Sequence, residues 1–375
     1  MTHQSLRIGF GVTALGIGSA RDELDGIGYY TQELGATLAA RGHHITPYQF
    51  GNAAFAQFLG QPVNRWPRYQ QTVVMSALTG MAMPGSDQLK GKVDLFHSTD
   101  HFIPRIKSVP HVATLMDVIP ISNPEWMLHR LRKTKNAIWK KSTHWPDHVI
   151  TISEYSKSQL VEYLGLRSEN ISVSYLGVDR RYYERLDRET IDACLKRHGL
   201  SKQFFLFVGT LQPRKNLGKL VSAHVMLPPE VRHAFPLVIV GREGWGNINW
   251  NALLGQEHIY WLQHVSDIEK RALMQTGTAM VFPSLAEGFG LPVIEAFASE
   301  LPVIASSTTA IPEVADDAAM LVDPEDVIMM SEAMMTLAIN ESRRQDMKQK
   351  GLARAATFTW EACAEATLKA YQKVL

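Results

Sequence analysis

The sequence predicts an α/β protein with two doubly wound parallel sheets, one in each half of the chain. The first observation behind this prediction is length, because 375 residues exceed one ordinary hydrophobic core and suit two domains. The second is alternation: short apolar segments that suit buried strands are separated by helical segments, in two successive series. Sheets of this kind bind ligands at the carboxyl ends of their strands, so we expect a cleft between the domains.

The elements follow one another in a regular order. The first series has the predicted strands LRIGF, VDLFHS, HVATLM, HVITIS and NISVSYLG, and helices such as YYTQELGATLAARG and SEYSKSQLVEYLG. The second series runs through FFLFVG, PLVIVG, IYWLQ, TAMVFPS and LPVIAS. A polar, helix-rich segment separates the two series, and it predicts an interdomain connection at 178–200.

The tetrapeptide LPVI occurs twice, at 291–294 and at 301–304, in different surroundings. The first copy follows two glycines and places Pro292 where a helix can begin. In the second copy, Val303 and Ile304 suit a buried strand. We therefore predict a loop, a helix and a strand in this order.

Composition excludes several classes of protein. A formal net charge of +1 argues against a general electrostatic grip on nucleic acid. The two cysteines, Cys194 and Cys363, are too few for a disulfide framework or a cysteine-based zinc cluster. No apolar run is long enough to span a bilayer, and the amino terminus lacks a signal-peptide core. We therefore expect a cytoplasmic protein.

The segment GFGVTA matches the loose dinucleotide-binding pattern G-x-G-x-x-A, with Gly9, Gly11 and Ala14. That pattern works only where a helix begins at once, so that its first N–H groups meet the pyrophosphate. Further glycines follow here, and the next helix is predicted to begin near Tyr29. We therefore predict a flexible glycine-rich loop over the cleft. Its glycines are Gly16, Gly18, Gly26 and Gly28.

Two cations follow the first strand of the second series. The strand ends at Gly209, and Arg214 and Lys215 stand just before a helix. Arginine offers a planar fork to phosphate oxygens and lysine a compact point charge, so the pair could neutralise a pyrophosphate leaving group. The alternative is that both are solvated loop charges.

The loop before the first LPVI holds two carboxylates around a helix start. Gly288 and Gly290 allow a close backbone approach, and the N–H groups near the helix start favour hydroxyls or phosphate. Glu287 in the loop and Glu295 in the first turn could each accept hydrogen bonds from a pair of hydroxyls. The alternative for Glu295 is simple stabilisation by the helix dipole. The expected N–H donors belong to Phe289, Gly290 and Leu291.

The segment HRLRKTKNAIWKK at 129–141 interleaves six basic residues with apolar ones. Such a pattern is typical of a helix that lies on an anionic membrane. A solvated helix with its apolar side in the core would give the same pattern, and both interpretations stay open here.

Three stretches together identify a resemblance. The chain resembles the retaining, nucleotide-sugar-dependent glycosyltransferases of family 4 in three stretches. These are VGTLQPRKN, HVSDIEKRALMQTGTAMVFPSLAEGFGLPVIEAFASELPVIASSTTAIPEVADDAAMLVDPED and FTWEACAEATLKAYQKV. The amino-terminal half looks like the mannosyltransferase branch that builds bacterial polysaccharides. The similar segments are DGIGYYTQELGATLAARGH, MDVIPISNPEW, ITISEYSKSQL and YLGVD. The resemblance spans nearly the whole chain.

The resemblance implies the GT-B fold, in which two Rossmann-like domains face each other across a cleft. It implies an acceptor-binding domain at 1–185, a nucleotide-sugar-binding domain at 200–357, and a terminal helix at 358–375 that crosses back to the first domain. Lipid-linked acceptors are common in this family, which favours a peripheral membrane contact through 129–141.

The resemblance also implies roles for matched residues. Arg214 and Lys215 would hold the diphosphate, Glu287 would contact the donor sugar, and Glu295 would bind the ribose hydroxyls. Val265 would lie beside the base. The remaining donor-binding positions would be Gly26, Gly28, Gly209, Gly288, Phe289, Gly290 and Leu291.

Two positions depart from the family pattern. Relatives usually have His-Asp where this chain has Met116 and Asp117, so Asp117 is a catalytic candidate without the neighbouring imidazole. Glu300 stands where relatives commonly have glycine. A non-glycine residue in a left-handed helix cap costs about 1 kcal/mol, so we expect a different local turn.

The resemblance predicts a metal-independent transferase that has a sugar nucleotide as substrate and no cofactor. No Asp-x-Asp pair for a metal under the diphosphate occurs in the sequence, and cations with helix dipoles could replace the ion. The donor would be GDP-mannose or a related GDP-deoxyhexose, and the acceptor a glycan or lipid-linked glycan. The alternatives are a glycosyl phosphorylase, a sugar-nucleotide hydrolase or epimerase, or an inactive binding protein.

Overall fold

The computed structural model describes residues 5–20, 24–51, 55–126, 132–246 and 248–375, of which Arg132 is described without its side chain. The chain divides into two compact units. Within the described residues, the N-terminal unit takes in residues up to Ser122, 132–177 and Trp360–Leu375. The C-terminal unit takes in 123–126 and Val178–Thr359. Each unit is built around one parallel sheet, and the predicted α/β class is confirmed.

The N-terminal unit has a seven-stranded sheet in the order β5-β2-β1-β6-β7-β8-β9. The strands are β1 Arg7–Gly11, β2 His44–Phe50, β5 Asn64–Trp66, β6 Leu95–Ser98, β7 His111–Thr114, β8 His148–Thr151 and β9 Ile171–Val173, and a separate ribbon pairs β3 Gln57–Phe58 with β4 Gln61–Pro62. The helices are α1 Thr13–Ser19, α2 Gly26–Ala40, α3 Tyr69–Thr79, α4 Ile119–Ser122, α5 Arg132–Ser142, α6 Glu154–Gln159 and α16 Trp360–Tyr371.

The C-terminal unit has a six-stranded sheet in the order β12-β11-β10-β13-β14-β15. The strands are β10 Phe205–Val208, β11 Leu237–Val240, β12 Ile259–Leu262, β13 Ala279–Phe282, β14 Val303–Ser306 and β15 Met320–Val322. The helices are α7 Arg188–His198, α8 Leu217–Val225, α9 Pro229–Ala234, α10 Trp250–Leu254, α11 Asp267–Thr276, α12 Leu291–Ala298, α13 Ile311–Ala315, α14 Val327–Ile339 and α15 Glu341–Ala355.

Each sheet has a point at which its strand order reverses. In the N-terminal unit this switch point lies between β1 and β6, and in the C-terminal unit it lies between β10 and β13. These four strands are apolar and buried almost throughout, as expected for parallel sheets covered by helices on both faces. In an open α/β sheet, the crevice for a ligand opens at the carboxyl ends of the strands that flank the switch point.

The two LPVI copies fold as predicted. The first opens helix α12, with Pro292 in its first turn, and the second leads into strand β14. Pro302 of the second copy offers its carbonyl oxygen to the backbone N–H of Met280 on β13, at 2.8 Å. Identical letters thus adopt different structures, although a residue with positive φ precedes each copy, Gly290 before the helix and Glu300 before the strand.

The glycine-rich segment after β1 differs from the prediction. A short helix, α1, begins at Thr13 directly after the strand, and α2 begins at Gly26, before Tyr29. Gly16 packs closely, because a Cβ there would stand 2.8 Å from Oε1 of Gln49, which would have to move. Asp25 caps α2 by accepting the Gly28 N–H at 2.8 Å. The described glycines of this segment therefore lie in helices.

Helix α16, at the end of the chain, packs against α2, β8 and β9 of the N-terminal unit. The Tyr371 hydroxyl lies 2.7 Å from Nδ1 of His97, and Ser174 donates to the carbonyl oxygen of Cys363 at 3.0 Å. Burial lowers the pKa of His97 to about 3, so its imidazole is neutral at physiological pH. These polar contacts fix α16 in the core of this unit.

Candidate functional site

The carboxyl ends of β10 and β13 bring together two segments that lie far apart in sequence. After β10 the chain passes through Gly209 into a 3₁₀ turn, Pro213–Lys215, and after β13 it enters the loop before α12. The N–H of Leu285 donates to the carbonyl oxygen of Arg214 at 2.8 Å, which ties the two segments together. Side chains from both therefore converge at the switch point.

Three charged side chains meet there. The guanidinium Nη1 of Arg214 lies 2.8 Å from Oε2 of Glu287, and Nζ of Lys215 lies 2.5 Å from Oε1. Their side chains are only 19%, 7% and 9% exposed, in the order Arg214, Lys215 and Glu287. Arg214 also donates to the Ala286 carbonyl oxygen, at 2.9 Å, and Lys215 lies 4.6 Å from the centre of the Phe282 ring. We call these three residues the ion cluster.

The ion cluster has two positive charges and one negative charge, so it holds an excess of one positive charge away from water. Burial lowers the pKa of Lys215 to about 8, against the opposing effect of Glu287. Burial would raise the pKa of Glu287, but Arg214 and Lys215 outweigh it and bring that pKa to about 2. An anion bound beside the two cations would remove this unfavourable excess charge, and the cluster is therefore suited to an anion.

Backbone conformation shapes the site as well. Gly209 has φ of +153°, and a Cβ on the neighbouring Gly241 would stand 2.0 Å from the Gly209 carbonyl oxygen. Asn216 is left-handed, with φ of +58°, and its amide donates to the carbonyl oxygens of Pro283 and Pro324 at 3.2 and 2.7 Å. These contacts fix the end of the turn that presents Arg214 and Lys215.

Glu287 has a different environment from the one predicted. The resemblance predicts that the Glu287 carboxylate contacts the donor sugar, whereas both carboxylate oxygens are already paired with the cations. Its own N–H donates to Oγ1 of Thr309, at 3.3 Å. Thr309 has φ of +60°, which is strained for a β-branched residue. Sequence reasoning missed Thr309, because nothing in the letters shows its conformation.

Glu295 lies in the second turn of α12, and the prediction of a first-turn carboxylate is wrong. Its Oε2 lies 3.4 Å from Nζ of Lys270 on α11, and Nζ lies 5.0 Å from the centre of the Tyr182 ring. Lys270 was not singled out from the sequence, because a lysine on a helix that begins two residues after Val265 has no distinguishing pattern.

The remaining donor candidates of this unit lie in the loop before α12, at the start of α12 and in the loop before α11. Gly290 is left-handed, with φ of +106°, and a Cβ on it would stand 2.6 Å from Cδ1 of Ile311. Phe289 is buried and meets the Phe358 ring edge-on at 5.5 Å. Gly288 is buried beside it, Leu291 is the first residue of α12, and Val265 is partly buried in the loop between β12 and α11.

The N-terminal unit holds the other predicted residues. Gly26 and Gly28 form the first turn of α2, under the Asp25 cap. Asp117 follows β7, and its Oδ1 accepts the N–H of Ile119 at 3.1 Å. Met116 before it is partly buried. The ion cluster and these residues lie in different units, and each group stands as described within its own unit.

A buried carboxylate that the sequence did not reveal lies at the switch point of the N-terminal unit. Asp100 accepts the N–H of Ala14 at 2.9 Å and the N–H of Phe102 at 2.8 Å. Burial raises its pKa, and the nearby Asp25 raises it further. The amino terminus of α1 thus meets a carboxylate of the protein itself, which rules out a dinucleotide pyrophosphate at that position.

Glu300 retains the left-handed conformation that a glycine would favour, with φ of +54°. The expectation of a different local turn is therefore wrong. Its Oε1 lies 2.5 Å from Nη2 of Arg185, and this ion pair helps to offset the backbone strain.

In the described part of the chain, one group of side chains has the spacing of metal ligands: Cys194, His198 and Glu269, whose ligand atoms lie within 4.8 Å of one another. The Glu269 carboxylate already caps α11 through Ser266 and pairs with Arg197 at 3.1 Å. Burial raises the pKa of Cys194 to about 11, so its thiol stays protonated. The group fits a structural contact between α7 and α11 better than a metal site.

The described residues include no helix that is both long and apolar enough to cross a membrane.

Two family models match the chain, one in each unit. The model for glycosyltransferase family 4 matches residues 24–182, and the model for glycosyl transferases group 1 matches residues 195–354. The computed structure is similar to sucrose-phosphate synthase from Thermosynechococcus elongatus, with a TM-score of 0.76, 17% identity, and 98% of each chain covered. This likeness supports the two-domain fold.

Among curated proteins, the chain is similar to the O-antigen chain mannosyltransferase B of Escherichia coli, at 29% identity over 74% of each chain. It is also similar to the serotype-specific mannosyltransferase WbdA of Escherichia coli, at 26% identity over 70% of this chain. The match spans only about a third of that longer relative, 33% of its length. The predicted resemblance is confirmed: the chain is a glycosyltransferase with the GT-B fold, with a family 4 domain at 24–182 and a group 1 domain at 195–354.

Proposed function

We propose that this glycosyltransferase moves mannose, or a related deoxyhexose, from a GDP-linked donor to a glycan or lipid-linked acceptor during synthesis of O-antigen or another surface polysaccharide. The relatives named above are mannosyltransferases, which supports the choice of sugar and of pathway. The single structural observation that supports a sugar-nucleotide donor is the buried ion cluster with its excess positive charge, located where an α/β sheet binds ligands.

Arg214 and Lys215 would act on the leaving group. When the bond between sugar and diphosphate breaks, negative charge grows on the phosphate oxygens, and fixed cations in a poorly hydrated site stabilise that charge strongly. The two side chains are held before the donor arrives, by Glu287, Gln212 and the Ala286 carbonyl oxygen. Little reorganisation is then needed in the transition state.

Glu287 would have two functions in this scheme. It pairs with both cations, so that the free enzyme does not hold two unbalanced charges in a buried site. It also adds a negative charge beside the sugar, which becomes positively charged as the bond breaks. A carboxylate held by two ion pairs is a poor nucleophile, which favours reaction on one face of the sugar with retention and without a covalent intermediate.

The rest of the donor would lie along α11 and α12. We assign Glu295 to the ribose hydroxyls, which would compete with its long contact to Lys270, and Val265 to the base. We propose that the N-terminal unit binds the acceptor. Asp117 would serve in the reaction from that same unit, at the carboxyl end of β7.

The reaction would need no metal ion and no cofactor, because two cations of the protein act on the diphosphate. Transfer measured after exhaustive EDTA treatment should be unchanged. Loss of transfer that magnesium or manganese restores would overturn the metal-free scheme.

A screen of donors tests the proposed function directly. A sugar nucleotide at about 100 times its dissociation constant adds about 2.7 kcal/mol to the free energy of unfolding, which a thermal shift detects. We expect GDP-mannose or a GDP-deoxyhexose to give the largest shift, and transferred sugar to keep the anomeric configuration of the donor by NMR. Free sugar as the sole product, sugar phosphate, or donor binding without any turnover would support the hydrolase, phosphorylase or inactive alternatives.

We also propose a peripheral membrane contact through the basic segment 129–141, of which residues 129–131 lie outside the described residues. In α5, Lys133 and Lys135 are exposed, whereas Trp139 packs against the core. Anionic vesicles should therefore bind the protein at low salt and release it at high salt. Replacing Arg130, Arg132, Lys133 and Lys135 by glutamine should abolish binding and leave donor affinity intact.

A further inference from the structure

A cavity of the N-terminal unit lies at the amino-terminal ends of the strands, whereas the crevice at the switch point opens at their carboxyl ends. Its volume is about 590 Å³, and it is formed by the loop that precedes β7 and the turn that precedes β8. Its lining includes the side chains of Arg105, Lys107, His144, Trp145 and Asp147. Because these residues precede the strands, the cavity lies away from the carboxyl ends where the reaction is expected.

The charges of this cavity are incompletely balanced. The Arg105 guanidinium lies over the Trp145 ring, 5.8 Å from its centre, and within the described residues neither Arg105 nor Lys107 forms an ion pair. The Asp147 carboxylate already accepts the His111 N–H, at 2.9 Å. His144 contacts the Leu164 carbonyl oxygen through Nε2, at 2.9 Å. Two cations and one carboxylate thus leave an excess of one positive charge beside an aromatic wall, which suits an anion.

Two large apolar side chains, which we call the apolar rim, are exposed on either side of Gly80, a residue close to Arg105 of the cavity. Leu78 is 82% exposed and Met81 is 63% exposed, on either side of Gly80. Nη1 of Arg105 lies 3.8 Å from the position that a Cβ on Gly80 would occupy, and the Met83 N–H donates to the Arg105 carbonyl oxygen at 2.8 Å. Leu78 and Met81 therefore lie on either side of Gly80, which is close to the Arg105 guanidinium.

Helix α5 continues this surface. Nζ of Lys141 donates to the Ala77 carbonyl oxygen near the end of α3, at 2.5 Å, and α3 packs against α5. His144 and Trp145 of the cavity follow directly after α5 ends at Ser142. The cavity, the apolar rim and the basic helix thus adjoin one another within one unit.

We propose that this cavity binds the phosphate of an anionic phospholipid headgroup, with Leu78 and Met81 inserted among the lipid chains. The inference rests on the proposed membrane contact and assigns its binding site to residues outside 129–141. Arginine binds phosphate oxygens through two parallel hydrogen bonds, and lysine adds a point charge. Exposed Leu78 and Met81 gain nothing from a small soluble anion, but they gain from burial in lipid.

Vesicle binding by the full-length chain tests the proposal. Phosphatidylglycerol vesicles should bind the wild-type protein and phosphatidylcholine vesicles should not. Replacing Arg105 and Lys107 by glutamine should weaken binding at least tenfold and reduce its salt dependence. Replacing Leu78 and Met81 by serine should weaken binding to a similar extent without changing the salt dependence.

Matched variants in the C-terminal unit serve as controls. Lys196→Gln with Lys202→Gln removes two exposed cations, and Ile328→Ser with Ile339→Ser removes two exposed apolar side chains. Neither pair should change vesicle binding. Transfer to a soluble acceptor should stay at the wild-type rate in every variant, which also verifies folding.

Three results would overturn the inference. One is vesicle binding that the cavity and rim variants do not change. Another is a wild-type protein that transfers sugar but binds no vesicle. The third is binding of inorganic phosphate that depends on Arg105 and Lys107, while Leu78 and Met81 have no influence on vesicles. Absence of transfer with any donor, in contrast, would overturn the proposed function and would not by itself affect the vesicle result.

Discussion

The switch points of the two units occupy equivalent places in similar sheets but present opposite chemistry. In the C-terminal unit, Arg214 and Lys215 after β10 meet Glu287 after β13, and an excess positive charge remains. In the N-terminal unit, Asp100 after β6 meets the backbone N–H of Ala14 after β1. One switch point is therefore suited to an anion, whereas the other already contains a carboxyl group of the protein.

Two sheets of similar architecture can therefore present different chemistry to two substrates. A sheet with a reversal of strand order provides a crevice, but the residues after the flanking strands decide what enters it. Behind Asp100, two buried hydroxyls are hydrogen bonded: Thr99 donates to the Gly11 carbonyl oxygen at 2.6 Å, and Thr31 donates to Thr99 at 2.9 Å. Asp25 also lies near Asp100. Carboxylates at a switch point are compatible with the hydroxyls of a sugar acceptor, to which they can offer hydrogen-bond acceptors.

The largest expected effect comes from removing a cation of the ion cluster. Arg214→Ala or Lys215→Ala should lower turnover by about 10³-fold, because the growing charge on the leaving group loses a fixed partner. Affinity for the nucleoside diphosphate should fall as well, because the product has the same phosphates. Kinetic constants and calorimetric titration would measure both. Lys219→Ala, a change of an exposed lysine on the following helix, is the control and should change neither quantity.

Glu287 is expected to have the next largest effect. Glu287→Gln should lower turnover by about 10²-fold and leave nucleoside diphosphate affinity equal or higher, because the cations lose a competing anion. Glu287→Ala should also lower the free energy of unfolding by about 3–5 kcal/mol, since two buried cations lose their partner. Chemical denaturation measures this cost. Normal turnover in Glu287→Gln would contradict the assignment.

Sequence reasoning found the cations, the carboxylate and the helix start because these are local features of composition and spacing. It did not find the pairing of Lys215 with Glu287, since 72 residues separate the partners and only the sheet order brings them together. The helix α1 was missed because Gly16 packs closely against Gln49, and no local sequence pattern shows this contact. Asp100 was missed for the same reason: its partner Ala14 is 86 residues away.

The third expected effect concerns pH. Burial holds the pKa of Lys215 at about 8, below its ordinary value of 10.5, so the free site loses this charge as the pH rises through 8. A bound diphosphate favours the charged form, and affinity should therefore fall about fivefold between pH 8 and pH 9. In Lys215→Arg the charge persists, and affinity should stay constant over this range. Titration at several pH values measures the difference, and a parallel decline in both proteins would assign the effect to another group.

The same pKa predicts the direction of a stability change. Between pH 8 and pH 10.5 the unfolded chain holds a proton on Lys215 that the free folded chain has released. Stability should therefore gain a favourable contribution from this residue as the pH rises through that window. Lys215→Arg should lack the gain, which separates it from the titration of other lysines.

The smallest expected effect tests the other half of the comparison. Asp100→Asn replaces one of two acceptor oxygens by an amide that cannot accept from the N–H groups of Ala14 and Phe102. The loop after β6 should shift slightly, and the Michaelis constant for the acceptor should rise about threefold to tenfold. Turnover of the donor by hydrolysis and affinity for the nucleoside diphosphate should not change, because the ion cluster lies in the other unit.

Asp94→Asn is a matched control. Asp94 also accepts a backbone N–H, from Arg7 at 2.7 Å, but it precedes β6 and so lies at the amino-terminal end of the strand. If both variants raise the acceptor constant equally, the effect reflects general loosening of the sheet, and the N-terminal switch point has no special part in acceptor binding. If only Asp100→Asn raises it, the two switch points divide the two substrates between them.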